Sequence, residues 1–395
     1  MESATNNTST ISLFDAIIIE LNAMVGAGIF SIPLLLRAQA GPAGILTYIG
    51  VTAAVWCLAV SLGRVAKYYA GSGSFYTYVK PWAGHYGGLF TAFLYLLGLV
   101  VAMGLLTQLT GLYLHDLVHQ LPAVGWSLLT LAALVYLCHG GYTAAAWVQY
   151  LLIFGTIAPL IFMSMLCFSI ASWQNLTPFM PHGILPVITA TRAVIFGFLG
   201  FECVTSLYTM LKSPQKNLSR SIASAVIITG LLYCTFVASI MLAIPAHLAV
   251  SGTTTLPELM LVLFPNYAWL ITLITITIII ALVGTLHSMI LSISNLLKDT
   301  VSIALPHRRI SLAAAVYLIC GMIGLSCIAF HNIDLFLSMT SLCVVTAYAC
   351  SIATLFLPST KSTRKDRIIA ACGLVTAGII TISAGMGIYT ILFTT

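Results

Sequence analysis

Charged side chains are scarce in this sequence of 395 residues. Only 6% of the residues are Asp, Glu, Lys or Arg, whereas 60% are hydrophobic. A soluble domain carries roughly a quarter charged residues, because much of its surface must face water. The composition therefore excludes a water-soluble fold and indicates an all-α polytopic membrane protein.

The sequence also lacks the signatures of several other protein classes. All ten cysteines fall inside apolar runs and none has CxxC spacing, so we expect neither a disulfide framework nor a metal site. The basic residues behind the net charge of +6 are spread over separate loops, which argues against a nucleic-acid partner. No HExxH pattern or other catalytic arrangement is present, so we expect no enzymatic activity and no cofactor.

Long apolar runs fill most of the chain. A membrane-spanning helix needs about 20 mostly apolar residues, and eleven such runs are present. Residues 1–12 are polar and lack Lys and Arg, so we expect a cytoplasmic tail rather than a cleaved signal peptide. The predicted spans cover residues 13–36, 43–66, 87–114, 122–140, 145–171, 188–211, 219–245, 266–297, 309–330, 334–357 and 368–393.

The basic residues alternate between the two sides of these spans. Apart from Arg37 and Arg192, every Lys and Arg lies in a loop that follows an even-numbered span. Such loops are cytoplasmic by the positive-inside rule. The sequence therefore predicts an inner-membrane protein whose N-terminus is cytoplasmic and whose C-terminus, after an odd number of spans, is outside.

Two glycine clusters lie in the middle of predicted spans 1 and 6, at residues 24–30 (MVGAGIF) and 196–202 (FGFLGFE). Interrupted helices at corresponding positions of two halves point to a transporter substrate site. Close packing of small residues is the alternative for either cluster alone. We therefore predict a first five-helix repeat at 13–171, a second at 188–357, and a cytoplasmic loop with an additional C-terminal helix at 358–395.

A broken helix offers its backbone groups as ligands. Free N–H groups at the start of the second half-helix favour a carboxylate, and free carbonyl groups at the end of the first favour an ammonium group. Glu202 is the acid placed deepest in the membrane, where a carboxyl group is costly and usually functional. Glu20, nearer the inner end of span 1, is expected to face water. His287 in span 8 is a candidate proton carrier, with a structural buried histidine as the alternative.

The same segments carry a family resemblance. Four segments resemble parts of the amino acid–polyamine–organocation permeases. They correspond to the first span (22–30, NAMVGAGIF), the loop after span 2 (71–78, GSGSFYTY), the fifth span (149–160, QYLLIFGTIAPL) and the sixth span (196–222). That family includes the bacterial arginine–agmatine exchanger. The resemblance implies a five-plus-five inverted repeat with broken helices 1 and 6. It also implies alternating-access transport of amino acids or related amines, by exchange or linked to protons.

The resemblance further implies roles for individual residues. The amide groups of Ala27 and Gly28 would bind the α-carboxylate, and carbonyl groups of span 1 and span 6 would bind the α-amino group. The candidate substrate-binding residues are Met24, Gly26, Ala27, Gly28, Tyr95, Phe196, Leu199, Gly200, Met289 and Thr340. The candidate gating or coupling residues are Phe196, Glu202, His287 and Tyr348.

Departures from the family pattern limit the prediction. Thr156, or Gly155 with a one-residue slip, stands where proton-coupled members often carry a lysine, which favours exchange or facilitated transport. The twelfth span that is common in the family is absent, so the sequence leaves open whether the protein is a monomer or a homodimer. The lack of a second deep acid favours neutral or aliphatic substrates. A channel and a non-transporting permease-like sensor are the alternatives to a transporter.

Overall fold

A computed structural model describes residues 11–26, 28–139, 141–245, 248, 255–305, 307–330 and 332–393. The backbone of these residues is almost entirely helical. The α-helices are α1 (Leu13–Met24), α2 (Gly28–Ala40), α3 (Gly44–Tyr68), α4 (Ser74–Leu117), α5 (Ala123–His139), α6 (Gly141–Ser169), α7 (Ile184–Thr189), α8 (Thr191–Phe196), α9 (Pro214–Ala243), α10 (Leu256–Leu263), α11 (Trp269–Ala304), α12 (Leu312–Ala329), α13 (Ile333–Ala353) and α14 (Arg364–Phe393).

Eight stretches of the described residues are long and apolar enough to cross a membrane. They are Gly28–Tyr68, Ser74–Leu117, Trp147–Ser169, Pro214–Ala243, Trp269–Ala304, Leu312–Ala329, Leu335–Phe356 and Arg364–Met386. Two shorter apolar stretches, Ala123–Cys138 and Ile184–Phe196, accompany them. The protein is therefore a multi-pass helical membrane protein, as its composition predicts, while the count of eleven spans stays a prediction.

Helix α4 is longer than the sequence predicts. Residues 71–78 were expected to form a loop, with span 3 starting at residue 87, but α4 begins at Ser74 and continues through a kink at Gly84. Gly84 has φ +70°, in the left-handed region that glycine adopts without steric cost. Phe75 and Tyr78 in the added helical part are fully buried, and this tertiary cover overrides the local turn signal.

Span 1 is interrupted where the glycine cluster predicts. Helix α1 starts with a capping box formed by Ser12 and Asp15 and ends at Met24. Helix α2 begins at Gly28. Between them Gly26 lies against α11: a Cβ atom added to it would be 2.8 Å from the Thr285 hydroxyl oxygen. The break thus brings the backbone of span 1 closer to a neighbouring helix than any larger residue permits.

Span 6 is interrupted as well. Short helices α7 and α8 lead to turns over residues 197–202, and a 3₁₀ helix follows at Cys203–Met210. Gly200 in these turns has φ +109°, and a Cβ atom on it would be 2.8 Å from the Ala23 carbonyl oxygen. Glycine is therefore required here by both conformation and proximity. The two breaks are in direct contact.

Candidate functional site

A small cavity of about 20 Å³ lies between the two breaks and is called the break cavity below. Its lining combines backbone of spans 1 and 6 with side chains of α4 and α11. The lining residues are Ala23, Met24, Gly26, Gly28, Ala102, Leu106, Phe196, Gly197, Leu199, Thr285 and Met289. Thr285 carries the one hydroxyl group among them, and none of these residues is charged. The cavity is thus apolar except for the backbone groups at the breaks and this hydroxyl.

The start of α2 is where an α-carboxylate is expected. Gly28 is the first residue of α2, and the first N–H groups of a helix have no partner within it. A Cβ atom on Gly28 would be 3.2 Å from the Gly197 Cα atom and 3.1 Å from Cδ1 of Ile32. Any larger residue would therefore crowd this end of the cavity. Ala27, the other residue predicted to bind the carboxylate, lies outside the described residues.

The Met24 carbonyl group, predicted to bind the α-amino group, already has two partners. It accepts a hydrogen bond of 2.9 Å from the Gly26 N–H group and one of 2.7 Å from the Tyr233 hydroxyl group. A carbonyl oxygen has two lone pairs, so an ammonium group would have to displace one donor. The Tyr233 hydroxyl also lies 3.0 Å from the Gly197 carbonyl oxygen. Tyr233 thereby joins the two breaks, and no sequence motif marks it.

The turn after Phe196 holds the other predicted carbonyl ligands. The Phe196 carbonyl accepts one hydrogen bond, of 3.2 Å, from the Leu199 N–H group. Among the described residues, no backbone donor pairs with the Leu199 carbonyl group. Both carbonyl groups therefore keep acceptor capacity for an ammonium group, which the Met24 carbonyl lacks.

Phe196 lies between the break cavity and a second cavity of about 230 Å³, called the outer cavity below. Phe196 and Gly28 line both. The outer cavity meets the surface of the protein at the exposed Ser31 and Ile333. Its lining residues are Gly28, Ser31, Ile32, Leu35, Leu105, Leu109, Tyr113, Ala193, Phe196, Ile333 and Leu337. The Phe196 side chain thus lies where it can open or close the passage between the two cavities.

Glu202 lies on the opposite side of the breaks and is fully buried. One of its carboxyl oxygens accepts a hydrogen bond of 2.9 Å from the Tyr95 hydroxyl, and the other accepts one of 3.2 Å from the Gly200 N–H group. Tyr348 is buried beside the same carboxyl group. Phe75 stacks on Tyr95, with ring centroids 4.0 Å apart. These rings and the carboxyl group form a closed layer beneath the break cavity.

The structure brings most, but not all, of the predicted substrate-binding residues to the break cavity. Met289 lines it, as expected. Tyr95 instead belongs to the layer around Glu202, and Gly200 contacts Ala23 and Glu202 rather than the cavity. Thr340 is buried on α13 away from the lining. Among the described residues, no group of three or more His, Cys, Asp and Glu is arranged to hold a metal ion.

A buried polar chain connects span 1 with α6 and α11. The Asn22 side-chain amide donates to the Gln149 backbone carbonyl (2.8 Å) and to its Oε1 atom (2.5 Å). The Gln149 Nε2 atom lies 2.8 Å from Nδ1 of His287, and the Ser288 hydroxyl donates to Gln149 Oε1 at 2.9 Å. The Thr285 hydroxyl donates to the Asn22 carbonyl at 2.8 Å. Among these residues, the sequence pattern pointed only to His287. Its partner Gln149 could have been recognised as a glutamine within the apolar run of span 5.

Glu20 is fully buried, so the expectation that it faces water is wrong. The Ser221 hydroxyl donates to its Oε1 atom at 3.4 Å, and Oε2 has no partner among the described residues. Ser221 belongs to α9, which packs along α1 and covers this face. The position of Glu20 near the inner end of span 1 suggested that its side chain is exposed, but the packing of α9 against α1 buries it.

Comparisons with known proteins place these features in a family. Residues 15–300 match the model of the amino acid permease family. An uncharacterized transporter of Mycobacterium tuberculosis is 24% identical over 92% of this chain and 84% of its own length. A branched-chain amino acid permease of Bacillus subtilis is 27% identical, but over 57% of this chain and 53% of its own.

Solved structures with the same fold are secondary transporters. A sodium-coupled sialic acid symporter, in a substrate-bound outward-open state, has a TM-score of 0.62 over 96% of this chain and 91% of its own, at 14% identity. A nucleobase–cation symporter, in a closed conformation with bromovinylhydantoin bound, has a TM-score of 0.67 over 98% of this chain and 94% of its own, also at 14% identity. These likenesses establish the fold and leave the substrate open.

Proposed function

Because the chain belongs to the amino acid permease family, we propose that it is a secondary-active permease that moves an amino acid across the cytoplasmic membrane. One observation carries the proposal: Gly28 at the N-terminus of α2 lines the same small cavity as Phe196 and Leu199, whose carbonyl groups keep acceptor capacity. The positive end of a half-helix suits a carboxylate, and carbonyl oxygens suit an ammonium group. A zwitterion provides both groups at the short separation that the cavity requires.

The lining favours a small or aliphatic neutral side chain on the substrate. Ala102, Leu106 and Met289 provide apolar walls, and no lining residue is charged. A cationic side chain would lose its hydration there without a counter-charge, at a cost on the order of several kcal/mol. A Bacillus subtilis relative named for branched-chain amino acids is consistent with this preference, although it matches only about half of each chain.

Transport proceeds by alternating access in this proposal. Phe196 is the outer gate, since it lies between the break cavity and the outer cavity. The layer around Glu202, with Tyr95 and Tyr348, is the inner gate. We infer that this inner gate is closed, because all three side chains are fully buried. Residues 13–171 and 188–357 act as the two inverted repeats, with the N-terminus in the cytoplasm and the C-terminus outside.

The mode of coupling is proposed to be exchange. Thr156 occupies the lysine position, and its hydroxyl is used within its own helix, on the Leu152 carbonyl at 2.9 Å. No fixed cation is therefore supplied at this point of span 5.

Counterflow in proteoliposomes tests the proposal. Purified protein is reconstituted, the vesicles are preloaded with one unlabelled compound, and entry of a radiolabelled amino acid is followed with and without a pH gradient. Leucine, valine or alanine inside should accelerate entry of labelled leucine, whereas arginine and agmatine should not. Failure of every amino acid to exchange, or preference for the cationic compounds, would contradict the proposal. Empty liposomes and the Gly28→Leu variant serve as controls.

A further inference from the structure

His287 is a buried titratable side chain that the proposed substrate site does not use. It is fully buried on α11, and its ring does not line the break cavity. Its Nδ1 atom faces Gln149, and its Nε2 atom has no hydrogen-bond partner among the described residues. Burying an imidazole ring adds little to the stability of the fold when one of its nitrogen atoms has no hydrogen-bond partner. A structural role alone therefore explains the residue poorly.

The hydrogen bonds around Gln149 determine which nitrogen of His287 carries the proton. The Asn22 side-chain amide nitrogen is held by the Gln149 backbone carbonyl, which can only accept. Asn22 must therefore direct its N–H groups toward the Gln149 side chain, and the atom there must be the acceptor Oε1. It follows that Gln149 presents its NH₂ group to His287 Nδ1. That nitrogen must accept, so the ring is neutral with its proton on Nε2.

We propose that His287 is a proton-binding site that couples pH to the end of α1 through Gln149 and Asn22. Binding of a proton places hydrogen on Nδ1, directly opposite the NH₂ group of Gln149. Two donors cannot share this contact, so the Gln149 amide must rotate and present Oε1 to the imidazolium. The rotation withdraws Oε1 from both Asn22 and Ser288.

The consequence for span 1 follows from position. Asn22 lies two residues before Met24, where α1 ends and the break begins. Its side-chain link through Gln149 and the Thr285 bond to its carbonyl connect this part of α1 to α6 and α11. Proton binding removes the bond from Asn22 to Oε1, while the bond from Asn22 to the Gln149 backbone carbonyl stays. The arrangement in this structure is thus favoured at high pH, and lowering the pH loosens the end of α1.

The other titratable side chains on the helices packed against α11 have different partners. Lys298 and Asp299 on α11 itself pair with each other, eleven residues along the helix and so about 16 Å away. The other pairs include Glu20 with Ser221, Glu202 with Tyr95, Asp15 with Tyr150, Glu258 with Thr255, Tyr76 with His85, Lys80 with the Tyr76 ring, His115 with the Leu121 carbonyl, Cys167 with Met260, and Cys203, which lies near Glu202. No acidic or basic side chain of the described residues hydrogen-bonds or ion-pairs with the His287 ring, which leaves Gln149 as the group that senses its charge.

Uptake measurements test the coupling between His287 and α1. This test rests on the proposed transport function. Labelled leucine uptake is measured with the same pH on both sides of the membrane, between roughly pH 4 and 8. The wild type should show a pH-dependent rate, whereas His287→Gln should show a flat profile, varying less than twofold. The exposed His119→Gln is the matched control and should keep the wild-type profile. An unchanged midpoint in His287→Gln would overturn the proposal.

Gln149→Glu gives a second test. A glutamate presents a carboxylate oxygen to Nδ1 and so accepts from the imidazolium, while its other oxygen still accepts from Asn22. Asn22 therefore keeps its acceptor whether or not the ring is protonated, and uptake should lose its pH dependence. A wild-type pH profile in a folded Gln149→Glu variant would contradict the coupling through Gln149.

Nitrogen-15 NMR of the ring needs neither a substrate nor a variant at position 287. The protein is labelled at histidine, with the other histidines replaced by glutamine to isolate one signal. At pH 7 and above Nδ1 should be unprotonated and Nε2 protonated, and the ring should titrate over the range in which uptake changes. A proton on Nδ1 at pH 7, or a ring that never titrates, would refute the proton site. If no amino acid is transported at all, the permease proposal fails while this titration still decides the role of His287.

Discussion

The Tyr233 hydroxyl group lies 2.7 Å from the Met24 carbonyl oxygen and so holds the last residue of α1 from a helix more than two hundred residues later in the chain. The same hydroxyl reaches the Gly197 carbonyl oxygen in the span 6 break. One side chain therefore fixes the spacing between the two breaks. It also occupies an acceptor that the family resemblance assigns to the substrate ammonium group. The carbonyl groups of Phe196 and Leu199 keep acceptor capacity, so we expect these two groups to bind the ammonium group instead.

Tyr233→Phe should destabilise the protein. The variant leaves two buried carbonyl groups without this donor, and loss of a hydrogen bond of this kind costs about 1 kcal/mol. The matched control is Tyr48→Phe, since Tyr48 is equally buried, packs edge-on against Tyr233, and has a hydroxyl without a hydrogen-bond partner in the described part of the chain. Thermal unfolding in detergent should show a lower midpoint for Tyr233→Phe alone. Equal midpoints for the two variants would show that the hydroxyl does not hold the breaks.

Gly28→Leu should abolish substrate binding without unfolding the protein. Even a Cβ atom at this position is tight against Gly197 and Ile32, and a longer side chain would extend into the break cavity. Gly321→Leu is the control, because a Cβ atom at Gly321 meets nothing within 4 Å. Binding of labelled leucine to purified protein should fall at least about tenfold, or about 1.4 kcal/mol, in the first variant only. Unimpaired binding by Gly28→Leu would remove the start of α2 from the site.

Phe196→Ala should merge the break cavity with the outer cavity. Bound substrate would then exchange with solvent more rapidly, so the dissociation rate should rise while the rate of association changes little. Phe93→Ala is a suitable control, since Phe93 is 56% exposed on α4 and lines neither cavity. Dissociation of labelled leucine after dilution measures the effect. Identical dissociation rates in the two variants would argue against Phe196 as a gate.

Glu202→Gln should slow transport more than it weakens binding. Both carboxyl oxygens accept hydrogen bonds, from Tyr95 and from the Gly200 N–H group, whereas glutamine offers one acceptor and one donor. The Gly200 N–H group needs the acceptor, so the NH₂ group of glutamine faces Tyr95, whose hydroxyl must reverse from donor to acceptor. This reversal replaces two bonds to a carboxyl group by weaker ones, and the inner gate is weakened. Tyr95→Phe removes only the hydroxyl contact and should give a smaller change, about fivefold for a loss near 1 kcal/mol. Initial rates of exchange compared with equilibrium binding separate the two effects; a loss of binding equal to the loss of rate would contradict a gating role.

The sequence predicts the breaks and the depth of Glu202 because these features are local. Glycine clusters in the middle of apolar runs have few other uses, and Gly26 and Gly200 prove to be close-contact positions. Phe196 and Met289 also reach the expected cavity. The resemblance to the family predicted these positions, and the fold places them around one cavity.

The partners that complete the site were not predictable from local pattern. Gln149 and Thr285 contact Asn22 from 127 and 263 residues away, and such contacts depend on how each helix is rotated about its axis. The burial of Glu20 likewise depends on the packing of α9 over α1. Residues 74–78 of the turn-like motif are helical because Phe75 stacks on Tyr95 and is buried by it. Each of these outcomes is a property of the packed bundle rather than of one segment.

The central claim is that a zwitterion binds between the two breaks through its carboxylate and its ammonium group. Competition against labelled leucine on the purified protein tests this most directly, with isoamylamine, which lacks the carboxylate, and isocaproate, which lacks the amino group. Both compounds keep the leucine side chain, so they isolate the two backbone half-sites. Each should bind at least about tenfold more weakly than leucine. Binding of either analogue as tightly as leucine would contradict the account.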